Sequence, residues 1–243
     1  MPRRPLVLIA TVLVLAGCTP AAPPEPLPAP TAVAQVDAAP RLAVAVGPGI
    51  SGVIDPEWSS RMARATGIPE RALLAYAGAA ISANEFKPGC GIGWNTIAAV
   101  GEVESDHARH DGSTLDASGT AVPPIFGVAL TGGETARIVD SDGGAIDGDA
   151  EYDRAVGPMQ LIPQSWSNWA TDGNGDGVND PQNIDDAAFA AANYLCRASD
   201  NRMSEPEGWL VGIAAYNSAE EYLRAVAVAA QRYLDAATSL DDR

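Results

Sequence analysis

The sequence predicts a helix-dominated, all-α domain with long loops, and three observations carry this prediction. Apolar side chains recur at helical spacing in several segments, as in Leu73, Tyr76, Ala77 and Ala80. The alternation of apolar and polar residues that is typical of strands is rare. Residues 106–152 are rich in Gly, Asp and Pro, a composition that favours loops.

The helical segments follow one another along the second part of the chain. Helices are predicted at 56–66, 70–83, 94–105, 163–169, 185–197, 206–216 and 220–237. Pro69 and Pro163 stand at helix starts, where the missing N–H of proline costs nothing. All of these helices lie within residues 50–243, which have the size of one compact domain.

The first residues are predicted to be a targeting segment outside the fold. Residues 1–17 begin with a basic pair and continue with an apolar run too short to span a membrane, as in a signal peptide. They lead into Cys18 through Leu-Ala-Gly, which resembles a bacterial lipobox. Cys18 is then the lipidated first residue of the mature chain, an extracytoplasmic lipoprotein anchored to the cell membrane. An ordinary secretory signal is the alternative. Residues 18–49, dominated by Pro and Ala, are predicted to form an extended tether.

The charge balance excludes several classes of partner. The chain has 31 acidic and 15 basic residues, and its formal net charge is −16. Such a protein is not attracted by charge to nucleic acid or to anionic lipid, whereas a largely uncharged sugar polymer is compatible. No heptad repeat or long apolar surface run predicts assembly, and we expect a monomer.

The cysteines indicate an oxidising compartment. If Cys18 is lipidated, Cys90 and Cys196 remain as a pair, and a disulfide is the default outside the cytoplasm. Two separate buried thiols are the alternative. A zinc site is not predicted, because the two cysteines are far apart in sequence and the chain has only two histidines.

Glu104 is the catalytic candidate. At 3.6 residues per turn, it shares one face of the predicted helix 94–105 with Ile97, Val100 and Gly101. A carboxyl group at the end of an apolar stripe and at a helix C-terminus is expected to have a raised pKa, because burial and the negative helix end disfavour its charged form. A raised pKa suits a general acid near neutral pH. The alternative is an ordinary solvated residue at a helix end.

A second motif predicts a calcium loop. Residues 172–183 follow the spacing of an EF-hand, and the expected ligands are Asp172, Asn174, Asp176, the Val178 carbonyl, Asp180 and Asn183. Asn183 stands where a bidentate acid is usual, which lowers the expected affinity, and Asp185 or Asp186 is a candidate substitute. An empty turn is the alternative. We expect a structural ion and no cofactor for catalysis.

Three short segments occur in a fixed order, Val103-Glu104-Ser105, Ala155-Val156-Gly157-Pro158-Met159-Gln160 and Ala215-Tyr216-Asn217. Together with the calcium-like loop they resemble the lytic transglycosylases, and most closely the membrane-bound lytic murein transglycosylase B group in its actinobacterial form. The resemblance spans roughly residues 68–233. It implies a lysozyme-like transglycosylase domain that acts on peptidoglycan glycan strands, and it also implies a calcium loop at this place.

The resemblance assigns roles to single residues. It implies that Glu104 protonates the glycosidic oxygen between N-acetylmuramic acid and N-acetylglucosamine, and then deprotonates the muramyl C6 hydroxyl to give a 1,6-anhydro product without water. Ser105 is expected to orient Glu104 or to contact the sugar. The predicted substrate-binding residues are Ser105, Asp153, Met159, Gln160, Tyr216, Asn217 and Tyr222.

Other functions stay open at this point. A lysozyme-type hydrolase would need a second carboxylate, for which Asp153 is the best candidate. A noncatalytic wall-binding lipoprotein and a calcium-dependent interaction module are further alternatives. His107 and His110 flank the end of the Glu104 helix beside aspartates, and we expect both to be exposed to solvent. The tryptophans are expected in the core.

Overall fold

The computed structural model describes residues 29–36, 38–133 and 135–241. Its helices are α1 (Pro56–Thr66), α2 (Glu70–Phe86), α3 (Trp94–Ser105), α4 (Pro163–Trp169), α5 (Ile184–Ala198), α6 (Pro206–Tyr216) and α7 (Glu220–Asp241). Strands β1 (Thr114–Leu115) and β2 (Ala121–Val122) form a small antiparallel sheet. The predicted helix-dominated fold is confirmed. The predicted signal peptide and Cys18 lie outside the described residues, and within the described part no helix is long and apolar enough to cross a membrane.

Local sequence signals explain where the helices begin and end. Asp55 caps α1, because its carboxylate accepts a hydrogen bond from the Glu57 amide at 2.8 Å, and Gly67 ends α1 with a left-handed φ of 76°. Asn183 caps α5 in the same way through the Asp185 amide, at 3.0 Å. Helices α2, α5 and α7 run further than their apolar stripes predict, since a stripe marks the packed face and not the last hydrogen bond.

Helix α2 lies at the centre of the core. It packs against α1, α3 and α5, and α3 packs in turn against α7. Leu73 and Tyr76 of α2, Ile97 of α3 and Leu195 of α5 are fully buried in this core. A helix with neighbours on several sides is apolar around most of its circumference, as the alanine-rich sequence of α2 is.

A disulfide joins helix α5 to the segment between α2 and α3. Cys90, in the segment after α2, is bonded to Cys196 in the last turn of α5, with the two Cα atoms 5.4 Å apart. The predicted cysteine pair is therefore bonded in the structure. It closes a sequence separation of 106 residues, so it restricts the unfolded chain strongly.

The described part of the predicted tether packs on the domain, which differs from the expectation of a free extended segment. Val33 and Ala39 are buried in the main core. The side-chain Oε1 of Gln35 accepts hydrogen bonds from the Gly93 amide and the Thr96 hydroxyl, both at 2.7 Å, at the N-terminus of α3. Pro- and Ala-rich composition correctly predicts an absence of helix and strand here, but it carries no information on docking to another element.

Candidate active site

Glu104 lies in the last turn of α3 and is half-buried. Its Oε1 accepts a hydrogen bond from the Tyr222 hydroxyl at 2.5 Å. Burial raises the pKa of Glu104 to about 7, and the Tyr222 hydrogen bond acts in the opposite direction because it stabilises the carboxylate. The shift has the direction that the apolar stripe predicts. A carboxyl group with this pKa is both a competent proton donor and a competent acceptor near neutral pH.

One tyrosine connects Glu104 to the last helix, and a second connects α6 to the turn at 157–160. Tyr222 comes from the first turns of α7 and Tyr216 from the end of α6. The Tyr216 hydroxyl donates to the Met159 carbonyl at 2.6 Å. Burial, together with the nearby charge of Glu104, raises the pKa values of both phenols well above their usual range, so both stay neutral donors. Asn217 is exposed, and its side-chain oxygen accepts from the Ala219 amide at 3.0 Å, which forms the turn into α7.

Ser105 fixes the end of α3 to the turn that contains Gln160. Its hydroxyl donates to the Pro158 carbonyl at 2.6 Å and accepts from the Ala108 amide at 2.9 Å. The residue is only 2% exposed. Ser105 therefore orients the helix end that carries Glu104, whereas the sugar contact predicted as the second option does not fit its burial.

The turn at 157–160 depends on one glycine. Gly157 has a φ of 72°, and a Cβ there would collide with the Pro181 carbonyl, so only glycine fits. The turn buries Met159 completely and leaves Gln160 partly exposed, with the Gln160 side-chain amide donating to the Gly157 carbonyl at 3.0 Å. Gln160 therefore faces the accessible side as predicted, while Met159 supports the turn from inside and does not fit a direct substrate contact.

Asp153 is buried, and its carboxylate is hydrogen-bonded within the loop that precedes the turn. Its two carboxylate oxygens accept from the amide and the hydroxyl of Ser141, each at 2.8 Å. The residue has no exposed surface. Asp153 therefore holds the loop around Ser141, and neither the predicted substrate contact nor the role of second carboxylate fits this position.

Three consecutive residues with left-handed backbone follow the catalytic helix. Asp106, His107 and Ala108 have φ values of 51°, 57° and 67°. Such conformations cost about 1–2 kcal/mol per residue for L-amino acids, so the surroundings must hold them. Ser105 binds the Ala108 amide, as described above, and the Gly101 carbonyl accepts from the His107 amide at 3.0 Å.

The His107 side chain completes this support. The expectation that His107 is exposed is wrong, since the residue is 2% exposed, whereas His110 is exposed as expected. The Tyr233 hydroxyl uses its hydrogen to donate to Glu102, so it can only accept from His107. The protonated ring nitrogen is therefore Nε2, which donates to the Tyr233 hydroxyl at 3.0 Å. The other ring nitrogen, Nδ1, accepts from the Tyr76 hydroxyl at 3.2 Å. Burial lowers the pKa of His107 to about 4, so the ring is neutral at physiological pH. Gly101 permits this arrangement, because a Cβ there would collide with the Tyr76 hydroxyl.

Comparison with known proteins identifies the class of domain. Residues 146–226 match the family model described as "Transglycosylase SLT domain". This segment of the chain is similar to transglycosylase SLT domains. No curated protein matches the chain. A solved structure, the Escherichia coli lytic transglycosylase Slt35 in complex with bulgecin A, is similar to it with 15% sequence identity and a TM-score of 0.43, over 74% of this chain and 75% of that chain.

The family-model match agrees with the predicted transglycosylase domain. The matched segment contains the Gly157–Gln160 turn, the calcium-like loop, Tyr216 and Tyr222, and Glu104 lies upstream of it. Glu104 is connected to the matched segment by the Tyr222 hydroxyl and by Ser105. The closer likeness to the membrane-bound B group stays a prediction.

In the calcium-like loop, residues 172–183, the predicted acidic ligands accept hydrogen bonds from the loop's own backbone amides. The Asp172 carboxylate accepts from the amides of Gly175, Asp176 and Gly177 at 2.7–3.1 Å, which curls the loop around it. Asp176 and Asp180 bind backbone amides further along the loop. Asn183 instead caps α5 with its oxygen and donates its side-chain amide to the Ser118 carbonyl at 3.1 Å.

The two candidate substitutes for position twelve have other partners. Asp185 pairs with Arg71 and Ser51. Asp186 accepts from the amides of Gly173, Asn174 and Asp180 at 2.7–3.1 Å, and burial raises its pKa to about 6. The loop thus lacks a free bidentate acid at its end, and the calcium site stays a prediction.

A second group of acids lies outside the predicted loop. Asp140, Asp142 and Asp153 bring carboxylate oxygens within 4.8 Å of one another, the one such group of three among the described residues. Asp140 and Asp142 accept from the backbone amides of residues 142–146, and Asp153 binds Ser141. These contacts form the loop before the turn.

Two aromatic rings beside Tyr216, those of Trp169 and Tyr194, were not predicted from the sequence as part of the site. Trp169 and Tyr194 have ring centroids 5.9 Å apart, and Tyr194 and Tyr216 have centroids 5.5 Å apart. All three residues are half-buried. Trp169 was expected in the core, and the signal that separates it from the fully buried Trp94 and Trp209 is its position at the end of the short helix α4, where one side faces the loop that follows.

Proposed function

We propose that the protein is a peptidoglycan lytic transglycosylase in which Glu104 is the single acid and base. The substrate bond is the β-1,4 bond between N-acetylmuramic acid and N-acetylglucosamine, and the product is a 1,6-anhydromuramyl end. The observation that carries the proposal is the half-buried Glu104 carboxyl group, with a pKa of about 7 and a hydrogen bond from Tyr222, on an SLT transglycosylase domain.

The chemistry balances with one carboxyl group. Neutral Glu104 gives its proton to the glycosidic oxygen, the bond from C1 to that oxygen breaks, and N-acetylglucosamine leaves. The muramyl C6 oxygen then bonds to C1 while its proton returns to Glu104, which restores the acid. Tyr222 donates to Oε1, so Oε2 is the atom that exchanges the proton, and the donor stabilises the carboxylate between the two steps.

The surroundings of Glu104 favour this single-acid mechanism over hydrolysis. Glycosidases that use water pair two carboxyl groups about 5–9.5 Å apart, and a second charged acid at that distance raises the pKa of the first. Burial raises the pKa of Glu104 and the Tyr222 hydrogen bond lowers it. Among the described residues, no second carboxylate contributes to the shift. Asp153, the candidate for that second role, is buried and bound to Ser141.

The test is the chemical nature of the products. Purified protein without residues 1–18 is incubated with peptidoglycan, and the products are treated with borohydride and analysed by mass spectrometry. Anhydro ends resist reduction, and they support the transglycosylase. Reducible ends indicate a lysozyme-type hydrolase, and binding without products indicates a wall-binding protein.

We also propose that Gln160, Tyr216 and Tyr222 contact the glycan.

We further propose that the protein is a lipoprotein anchored through Cys18. The lipobox-like sequence supports the anchor. Membrane fractionation of the full chain and of Cys18→Ala tests it, since only the unchanged chain should sediment with membranes and incorporate a fatty-acid label. An unlabelled, soluble wild-type chain would contradict the anchor.

Calcium at residues 172–183 is proposed as a structural ion. Asp172, Asn174, Asp176 and Asp180 would hold it together with the Val178 carbonyl. Because Asn183 is occupied as a helix cap, we expect weak binding. The melting temperature in millimolar calcium, compared with that in chelator, tests this; no difference for the wild type, or an equal rise in Asp172→Ala, counts against it.

A further inference from the structure

Lys87 is the only lysine in a chain with 31 acidic residues. It follows directly after α2 and is half-buried. Its ammonium group donates to the Asn193 carbonyl at 3.0 Å and lies 5.0 Å from the centroid of the Trp169 ring. An ammonium group has three N–H donors, so these contacts leave it donors for a ligand.

A second cation lies beside Lys87. Arg197 is on α5, one helical turn beyond Asn193 and therefore on the same face. It is exposed, and burial together with the Arg197 charge lowers the pKa of Lys87. The ion pairs among the described residues involve other cations, so neither Lys87 nor Arg197 has an acidic partner there.

The disulfide holds these two like charges together. Cys90 donates its amide to the Lys87 carbonyl at 3.1 Å, and its partner Cys196 directly precedes Arg197. The covalent bond therefore fixes the two chain segments that carry the cations. Like charges without an acid partner repel each other, and a bound anion relieves that repulsion.

The aromatic series connects this cation pair to the proposed active site. Trp169 contacts Lys87, and the rings of Tyr194 and Tyr216 follow at the centroid separations given above. Tyr216 lies close enough to Glu104 for the carboxylate charge to raise its pKa. Consecutive contacts of these rings therefore lead from Tyr216, beside Glu104, to the ammonium group of Lys87.

We propose that Lys87 and Arg197 form a carboxylate-binding subsite for the stem peptide of the peptidoglycan strand that occupies the Glu104 site. This inference rests on the proposed function and adds that the protein recognises the stem peptide of its substrate. In an acidic protein, two neighbouring cations without an acidic partner, of which Lys87 is partly buried, select for anions. The stem peptide carries carboxylates and is attached to the muramic acid of the strand. Both cations also lie at helix C-termini, which favours positive charge for structural reasons, so the test is ligand discrimination and not stability.

The test measures binding in the Glu104→Gln background, where turnover does not interfere. Three ligands are compared by calorimetry: a muramyl disaccharide oligomer with its stem peptides, the same oligomer with the stem carboxylates amidated, and an oligomer without peptides, whose anion is the lactyl carboxylate. In the double variant Lys87→Gln/Arg197→Gln, the affinity for the peptide-bearing oligomer should fall about tenfold, as expected for the loss of a charge-assisted hydrogen bond. The other two affinities should change less than twofold.

The matched control is Arg61→Gln/Arg64→Gln, which removes the same charge from α1 and should leave all three affinities unchanged. Lys87→Arg keeps the positive charge, so it should retain the wild-type preference for the peptide-bearing oligomer over the other two ligands. Equal losses for all three ligands, equal losses in the control, or a loss confined to the peptide-free oligomer would each overturn the subsite. Discrimination between ligands in a protein whose wild type yields no anhydro products would overturn the proposed function alone.

Discussion

At the residue scale, the protonation of Glu104 is set by two opposing neighbours. Burial raises its pKa to about 7 and the Tyr222 hydroxyl lowers it. A single group that must donate a proton and then accept one works best when its pKa lies near the working pH. The Tyr222 contact therefore tunes Glu104 as well as positioning it.

Tyr222→Phe separates these two contributions. Loss of the hydroxyl removes the interaction that stabilises the carboxylate, so the pKa of Glu104 should rise further. The pH at which activity falls on the alkaline side should therefore move to a higher value. The maximal rate should decrease by about tenfold to a hundredfold, because the carboxylate formed after the first step loses its donor. The pH profile of kcat measures both effects. A high-pH limb that moves to lower pH would show that the hydroxyl does not stabilise the carboxylate.

The raised pKa of Glu104 also predicts a stability cost. The folded-state pKa of about 7 lies above the ordinary value of 4.5, so the stabilising contribution of the protonated form is complete below pH 4.5 and is lost as the pH rises through 7. Glu104→Gln has no such loss, and its free energy of unfolding should exceed that of the wild type by about 1–3 kcal/mol at pH 8 and equal it at pH 4.

Urea unfolding at both pH values measures this difference. Glu207→Gln, an exposed acid in the first turn of α6, is the control and should show no pH-dependent gain. A Glu104→Gln variant that is less stable than the wild type at pH 8 would contradict the raised pKa.

The sequence predicts part of this residue-level picture. Helical periodicity places Glu104 at the end of an apolar stripe but does not distinguish a catalytic acid from a solvated residue. The order of the three short segments around Val103-Glu104-Ser105 makes it the candidate. Its partner Tyr222 lies 118 residues away, and the same periodicity does not reveal which distant side chain donates to it. Ser105, Asp153 and Met159 belong to the expected segments, yet their burial depends on tertiary contacts that adjacency in sequence does not encode.

At the element scale, the left-handed turn after α3 positions the catalytic carboxyl group. The turn reverses the chain directly after Ser105, and the buried His107 ring connects it to Tyr76 of α2 and Tyr233 of α7. Because the strained residues follow Glu104 within four positions, movement of the turn moves the helix end that carries Glu104.

His107→Asn tests this positioning. Asn tolerates the left-handed conformation, but it is too small to contact both tyrosines, so the turn keeps its backbone preference and loses its anchor. We expect kcat to fall about tenfold while KM stays within twofold, since the geometry of Glu104 changes and the sugar-binding residues do not. His110→Asn, in the exposed part of the same loop, is the control. An unchanged kcat in His107→Asn would remove the turn from the catalytic arrangement.

The elements themselves were predicted well, and the loops were not. Helices α1, α3, α4 and α6 have the predicted limits, because their apolar stripes coincide with prolines, glycines or capping residues. The turn at Asp106–Ala108 contains no glycine, and its left-handed backbone is imposed by Ser105 and His107. Such a conformation depends on packing, so local composition does not predict it.

At the scale of the whole molecule, the described residues before position 50, 29–36 and 38–49, belong to the folded unit. Val33 and Ala39 fill the core, and Gln35 binds the N-terminus of the helix that carries Glu104. The first helical turn has amides without intrahelical partners, and α3 has no side-chain cap of its own. The segment from 29 onward therefore stabilises the catalytic helix from its other end.

Two truncated chains test this boundary. A chain that starts at residue 50 should be about 2–4 kcal/mol less stable than one that starts at residue 29, because it loses buried apolar surface and the hydrogen bonds of Gln35. Thermal unfolding of the two chains measures the difference, and Gln35→Ala in the longer chain isolates the hydrogen bonds. Equal melting temperatures would restore the boundary at position 49 that composition predicts.

The most direct measurement is the product analysis of peptidoglycan treated with the wild-type domain, with Glu104→Gln and with the Glu207→Gln control. The wild type and the control should yield muropeptides with 1,6-anhydro ends that resist borohydride. Glu104→Gln should yield at least about 10²–10⁴-fold less, since it cannot transfer the proton. Reducible ends from the wild type, or undiminished anhydro products from Glu104→Gln, would contradict a transglycosylase that works through this single carboxyl group.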